Sequence, residues 1–234
     1  LAIILALGFS PFVKIIPWSA EKKLGEVYGV PASWRVCDEN ATGRNALNKL
    51  LKRIYPIKKD DQEFSVSLSV IQSKEVNAFA TLGGRIFIYE ELIKRATTPE
   101  ELAGILAHEI EHVRNRHVLE GILMRLVTFE GLRLFFSGSL PDVAGTFLHM
   151  RFTRFEEEMA DKEGLERLGL AKVSPKGMYD FFERMREDSA LRDLLSDHPS
   201  DQKRLDAIRP YLKIESSPVL EIREWEELRN ICKL

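Results

Sequence analysis

The sequence predicts an α+β fold, mainly α, in which a small β-sheet lies directly ahead of one central helix. Three observations carry this. Apolar residues recur at helical spacing over 40–54 and again over 98–114. Residues 64–70 alternate strictly between apolar side chains and serine, and two further short extended pieces follow before the second helix. The 234 residues suffice for one domain with a proper core and not for two large ones.

Composition is ordinary for a globular protein, 44% hydrophobic and 30% charged. A formal net charge of −2, without a basic stripe interleaved with aromatics, argues against nucleic acid as a partner. Two cysteines, Cys37 and Cys232, are too few for a cysteine-rich zinc knuckle. They form one disulfide in an oxidising compartment or remain two buried thiols.

In chain order, residues 1–18 are an apolar segment broken by Pro11 and Lys14, with an uninterrupted run shorter than the roughly 17–25 residues that span a bilayer. It reads either as the remnant of a signal or membrane anchor, which would allow membrane association, or as an arm packed on the domain at 19–234. Ser19 opens a short amphipathic helix reaching Gly25. The 40–54 helix carries Ala46, Leu47, Leu50, Leu51 and Ile54, and Tyr55-Pro56 stops it. Residues 64–70 form a half-buried strand with serines on the open face. Residues 76–80 form a second strand, Gly83-Gly84 a turn, and 85–89 a third strand. An exposed edge at Asn77, Ala78, Phe79 and Ala80 is a candidate platform for an extended polypeptide, held by main-chain hydrogen bonds.

The helix after this sheet has a firm start. Thr98 caps, Pro99 suits the first helical position, and Glu100 and Glu101 suit the positive helix end. Thr98 and Glu101 also have capping-box spacing. Leu102, Ile105, Leu106, Ile110 and Val113 form its apolar face. Its centre reads His108-Glu109-Ile110-Glu111-His112. Four residues turn a helix through about 400°, so the two imidazoles leave nearly the same face one turn apart. Both reach one tetrahedral Zn²⁺, and Glu109 is placed to take a proton from the attacking water. His117 lies five residues beyond His112, which turns it away from that face, so it reads as structural or surface. Residues 118–152 read as core and lid, with a loop at 137–141.

The third ligand is sought on the acidic run at 153–161, on a helix extending to about Leu168. Glu157 and Asp161 share a face at i, i+4. One can bind the metal while the other orients a ligand histidine through its free ring nitrogen. Ser174-Pro175 starts a helix bearing Met178, Phe181, Phe182 and Met185. His198 lies in a loop just before another helix start, and the tail with Trp225 and Leu228 is a final amphipathic helix.

Taken together, these residues resemble the zinc metallopeptidase family that includes the HtpX heat-shock protease and the CAAX prenyl endopeptidase. The resemblance runs from residue 19 to about 210. It is carried by 19–25, Asn77 to Ala80 with Gly83-Gly84, His108 to His112 followed by Arg116-His117, Arg154 to Asp161, and His198-Pro199 with Arg204-Leu205. Thr153 stands where the family usually has Ser, and Met159 where it has Glu. The long apolar helices of the multi-span members are not in this sequence, so it is similar to the soluble, periplasmic BepA-type branch. The resemblance implies a zincin-like fold, Glu157 as third zinc ligand and Asp161 as the group behind the ligands. It also implies that His198 faces the metal, either donating to the developing oxyanion or blocking the open position, with Arg204 supporting the same charge. The function implied is a zinc-dependent endopeptidase of the cell envelope, engaged in protein quality control on unfolded or misassembled polypeptides. The alternative is a non-catalytic chaperone or assembly factor on a peptidase-like fold, against which the intact His108, Glu109 and His112 argue.

Overall fold

The computed structural model describes residues 13–27, 33–56, 64–127, 151–188, 198 and 202–233. The expectations for residues 1–12 and for the 137–141 loop lie outside the described residues. Nine α-helices and three strands are described: α1 (Trp18–Val27), α2 (Ala41–Ile54), β1 (Ser67–Ile71), β2 (Ala78–Ala80), β3 (Arg85–Tyr89), α3 (Glu90–Arg95), α4 (Pro99–Arg114), α5 (His117–Val127), α6 (Arg154–Leu170), α7 (Lys176–Glu187), α8 (Gln202–Ile208) and α9 (Ile222–Arg229). The fold is mainly helical with a small sheet ahead of the histidine helix, as the sequence patterns predict.

Several local details differ from the sequence reading. Helix α1 begins at Trp18 rather than Ser19, because the Pro17 carbonyl accepts from the amides of Ala20 and Glu21. At α4 the Thr98 hydroxyl caps Glu101 N–H, yet the Glu101 carboxylate does not complete the box. It turns to the amide and hydroxyl of Thr97, and Arg184 of α7 pairs with it there. The unforeseen α3 links β3 to α4. Strand β1 begins only at Ser67, and in space the order is β1-β3-β2. Strands β1 and β3 run parallel, while β2 pairs antiparallel with β3, placing Phe79 opposite Phe87.

That register decides which edge of β2 is turned away from β3, and that edge is buried rather than exposed as the sequence suggested. Thr81 donates to the Arg85 carbonyl and Tyr89 to the Asn77 carbonyl. Odd-numbered residues of β2 therefore bond to β3, and the backbone groups of Ala78 and Ala80 turn to the opposite side. The turn between the strands needs Gly84. Its φ is +79°, and a Cβ there would meet the Ser65 carbonyl oxygen at 1.9 Å.

Helix α4 is the axis of the core. The sequence suggests one apolar face, but every residue from Glu101 to Val113 is buried. Neighbouring elements enclose the helix, so its polar groups must be satisfied inside the protein. Leu102, Leu106 and Ile110 are fully buried and each contributes roughly 1.5–3 kcal/mol of apolar transfer energy. Helix α6 crosses α4 closely because Gly164 has no side chain. A Cβ there would stand 3.3 Å from the His108 amide nitrogen. This close approach brings the acidic run of α6 to the histidines.

Of the apolar N-terminal segment, residues 13–18 are described. Val13 is buried, and its carbonyl accepts from Arg116. Among the described residues no helix is long and apolar enough to cross a membrane. Cys37 and Cys232 form a disulfide across a sequence separation of 195 residues. The bond joins the strand-like edge beside β1, where Cys37 N–H meets the Val70 carbonyl, to the end of α9. Reduction is expected to lower unfolding free energy by roughly 2–5 kcal/mol, by removing a constraint on the unfolded chain. Urea melts with and without reductant check this; coincident midpoints would contradict it.

Candidate metal centre

The site is assembled from four pieces of chain. Helix α4 presents His108, Glu109 and His112, α6 presents Glu157 and Asp161, α8 presents Arg204, and His198 precedes α8. None of the five groups His108, Glu109, His112, Glu157 and His198 is more than 4% exposed. Thr153 starts α6 with a reciprocal capping box to Glu156, which fixes the first turn carrying Glu157.

Four donor atoms, one each from His108, His112, Glu157 and His198, lie within 4.8 Å of one another. His108 Nε2 stands 3.0 Å from His112 Nε2 and 3.2 Å from His198 Nδ1. Glu157 oxygens stand 3.5, 3.4 and 3.0 Å from His108, His112 and His198. Tetrahedral ligands at zinc bond lengths of roughly 2.0–2.1 Å are about 3.3 Å apart. The observed spacing is that of donors converging on one small cation, and the residues fit such a group. Burial holds His112 well below the usual imidazole range, despite the Glu157 carboxylate beside it. It is thus in the neutral form that a metal ligand requires.

The outer nitrogens are also engaged. His108 Nδ1 lies 2.9 Å from Asp161 Oδ1. Arg204 grips Asp161 with two bonds of 2.5 and 2.6 Å, approaches Glu157 at 3.1 Å, and lies over the Phe182 ring. Burial raises the Asp161 carboxyl, but Arg204 and His108 outweigh it and hold the pKa below the usual range. These contacts put Arg204 on the carboxylates of Asp161 and Glu157.

Glu109 Oε2 accepts the Ala80 N–H at 3.1 Å, and its Oε1 lies 3.4 Å from His198 Nε2. Burial pushes the Glu109 carboxyl up, against the pull of His198 and His108. Burial pulls the His198 imidazole down, but the carboxylates of Glu157 and Glu109 outweigh it and push it up to about 9. Of the four candidate platform residues, Ala80 meets the site directly. The Phe79 ring instead packs with Trp34, Phe87 and Tyr89. Asn77 and Ala78 precede it, and the Asn77 carbonyl accepts from Tyr89 of β3.

Phe152 escapes the sequence reading, and His117 is read there only as structural or surface. Phe152 stacks on His112 with centroids 3.9 Å apart, and faces His198 at 5.6 Å. No pattern singles it out, since it immediately precedes the helix cap. His117 is buried, with Nδ1 2.9 Å from His112 Nδ1. It is not among the four converging donors, in keeping with a structural role, and because α4 ends at Arg114 and the chain turns at Arg116 it meets the outer nitrogen of His112.

The sequence profile of Peptidase family M48 matches residues 45–212, a span that includes every residue of this cluster. The chain belongs to peptidase family M48. Among relatives of this M48 chain, the mitochondrial metalloendopeptidase OMA1 of Arabidopsis thaliana is 34% identical over 142 residues. That alignment covers 58% of this chain and 29% of the relative. The beta-barrel assembly-enhancing protease of Escherichia coli is 29% identical over 159 residues, covering 58% and 32%. Metalloprotease LoiP of the same organism is 27% identical over 157 residues, covering 62% of each. The M48 chain thus spans about a third of the first two relatives.

Proposed function

We propose that this chain is a zinc-dependent endopeptidase in which His108, His112 and Glu157 hold the metal and Glu109 is the general base. The observation that carries the reading is the set of donor atoms at metal-ligand spacing, with a buried carboxylate beside it on the same helix. A bound zinc ion would supply Lewis acidity to the attacking water and the scissile carbonyl. Glu109 accepts the water proton and returns it to the leaving amine, a role suited to a carboxylate whose proton affinity burial has raised. The Ala80 amide fixes one Glu109 oxygen, which ties the acid–base group to the edge of β2 turned away from β3, an edge that is buried in this structure. A substrate strand laid along Asn77 to Ala80 would bring its scissile carbonyl past Glu109.

His198 takes the remaining place around the donor cluster. Four protein ligands close a zinc site, whereas catalysis needs an open position. His198 either fills that position in a blocked resting form or, as the imidazolium that Glu157 and Glu109 favour, donates to the developing oxyanion. Asp161 and Arg204 hold His108 and Glu157 from behind.

We place the chain in the cell envelope, acting on unfolded or misassembled polypeptides. The Cys37–Cys232 bond suits an oxidising compartment, and one relative is named a beta-barrel assembly-enhancing protease. Purified protein is expected to carry stoichiometric zinc and to hydrolyse casein. Stripping with a chelator should stop hydrolysis, and added zinc should restore it. Protein without zinc at neutral pH and without chelator-sensitive cleavage overturns the reading.

A further inference from the structure

The two ligand histidines of α4 have different outer partners. His108 has the Asp161 carboxylate. His112 has only His117, Nδ1 to Nδ1 at 2.9 Å, among the described residues. If Nε2 of His112 faces the metal, its ring proton sits on Nδ1 and is donated outward. His117 Nδ1 must then be the acceptor, which puts the His117 proton on Nε2. That Nε2 atom is buried and has no hydrogen-bond partner among the described residues, so none of them competes for the tautomer. The ring borders the cleft lined by residues of α1, α5 and the start of α6.

The backbone is arranged to put His117 there. Arg116 adopts φ 58°, a left-handed conformation that non-glycine residues rarely take and that costs on the order of 1–2 kcal/mol. Its side chain is held from three points. Nε donates to Glu21 Oε2 at 2.7 Å, and Nη1 donates to the carbonyls of Val13 and Ile16 at 2.7 and 2.6 Å. Glu21 in turn accepts the Gly83 amide at 3.3 Å, tying α1 to the β2–β3 turn. From the other side, Asn115 donates to Glu163 of α6 at 2.7 Å. The turn that carries His117 is thus held from α1, through Glu21 from the β2–β3 turn, and from α6.

We propose that His117 is the positioning residue for His112. Its Nδ1 accepts the His112 Nδ1–H and so presents Nε2 to the metal, and the Glu21–Arg116 pair holds the turn that places it. This rests on the zinc reading above. The test is zinc affinity, measured by competition with a chromogenic chelator, on wild type, His117→Phe, His117→Asn and His117→Gln. Phe keeps the bulk without the acceptor, and affinity should fall about 10–100-fold. Asn places an oxygen near the position of Nδ1 and should restore most of the loss, whereas Gln places it near Nε2 and should not. Circular dichroism and thermal melts of the zinc-free variants report folding independently. Native-like His117→Phe that binds zinc as wild type does overturns the inference. If that variant does not fold, equal affinities for His117→Asn and His117→Gln overturn it instead. A wild type that binds zinc but cleaves nothing overturns the peptidase reading and leaves this one standing.

Discussion

Glu109→Gln is expected to retain zinc and to lose casein hydrolysis by about 10²–10⁴-fold in kcat, the range supplied by general acid–base catalysis. The substitution is close to isosteric. Its amide oxygen can still accept the Ala80 N–H now received at 3.1 Å, so the edge of β2 stays in place. Glu109 is not among the four donors that converge at the metal position, so the ligand set is untouched. What disappears is the ability to take a proton. Substrate binding should therefore change little, and kcat and kcat/KM should fall together. Cleavage at the wild-type rate would remove Glu109 from the chemistry. A biological effect that persists undiminished in this variant would identify binding, rather than hydrolysis, as the function.

Glu157→Ala tests the proposed third ligand. It removes one donor, and it also takes a carboxylate away from His198 and Arg204, which lie 3.0 and 3.1 Å from it. Burial alone would raise Glu157, but His198 and His108 outweigh that and hold it far below the usual carboxylate range. It is thus an anion in a buried cluster of imidazoles and a guanidinium. Zinc affinity should drop by more than about 100-fold, beyond the range for a residue that only supports a ligand. Removing one partner of a buried pair costs about 3–5 kcal/mol, so the zinc-free variant should also melt earlier than zinc-free wild type. Metal analysis after dialysis against chelator, with parallel thermal melts, reads both effects. Stoichiometric zinc in the variant would exclude Glu157 as a ligand.

What the sequence makes legible follows from locality. The pair His108 and His112 and the adjacent Glu109 are spaced by helix geometry alone, and the structure places them as that geometry requires. Thr98-Pro99 marks the start of α4 for the same reason. Residues 85–89 form β3 as predicted, while β1 starts late because its partner strand begins only at Arg85. The spatial order β1-β3-β2 depends on long-range pairing that no local pattern encodes. His117 and Phe152 fall between these cases. Each meets His112 across a non-helical stretch of chain, so helical counting alone does not show the contact. The approach of α6 to α4 depends on Gly164, one small residue whose role emerges only from the crossing.

The bond between Cys37 and Cys232 has a meaning for an enzyme that cuts chains. It makes nearly the whole catalytic unit a closed covalent ring, with every residue of the metal cluster inside it. The two ends of the ring are also clasped without covalent help. Lys49 of α2 pairs with Glu224 of α9 at 2.6 Å, and Thr42 bonds Glu227 at 2.8 Å. A peptidase is the substrate nearest to its neighbours, and nicks in its own loops are its occupational injury. One nick within a ring opens it without releasing a fragment. The two pieces stay joined through Cys37–Cys232, so a cut that would separate the parts of a linear enzyme leaves them in one molecule.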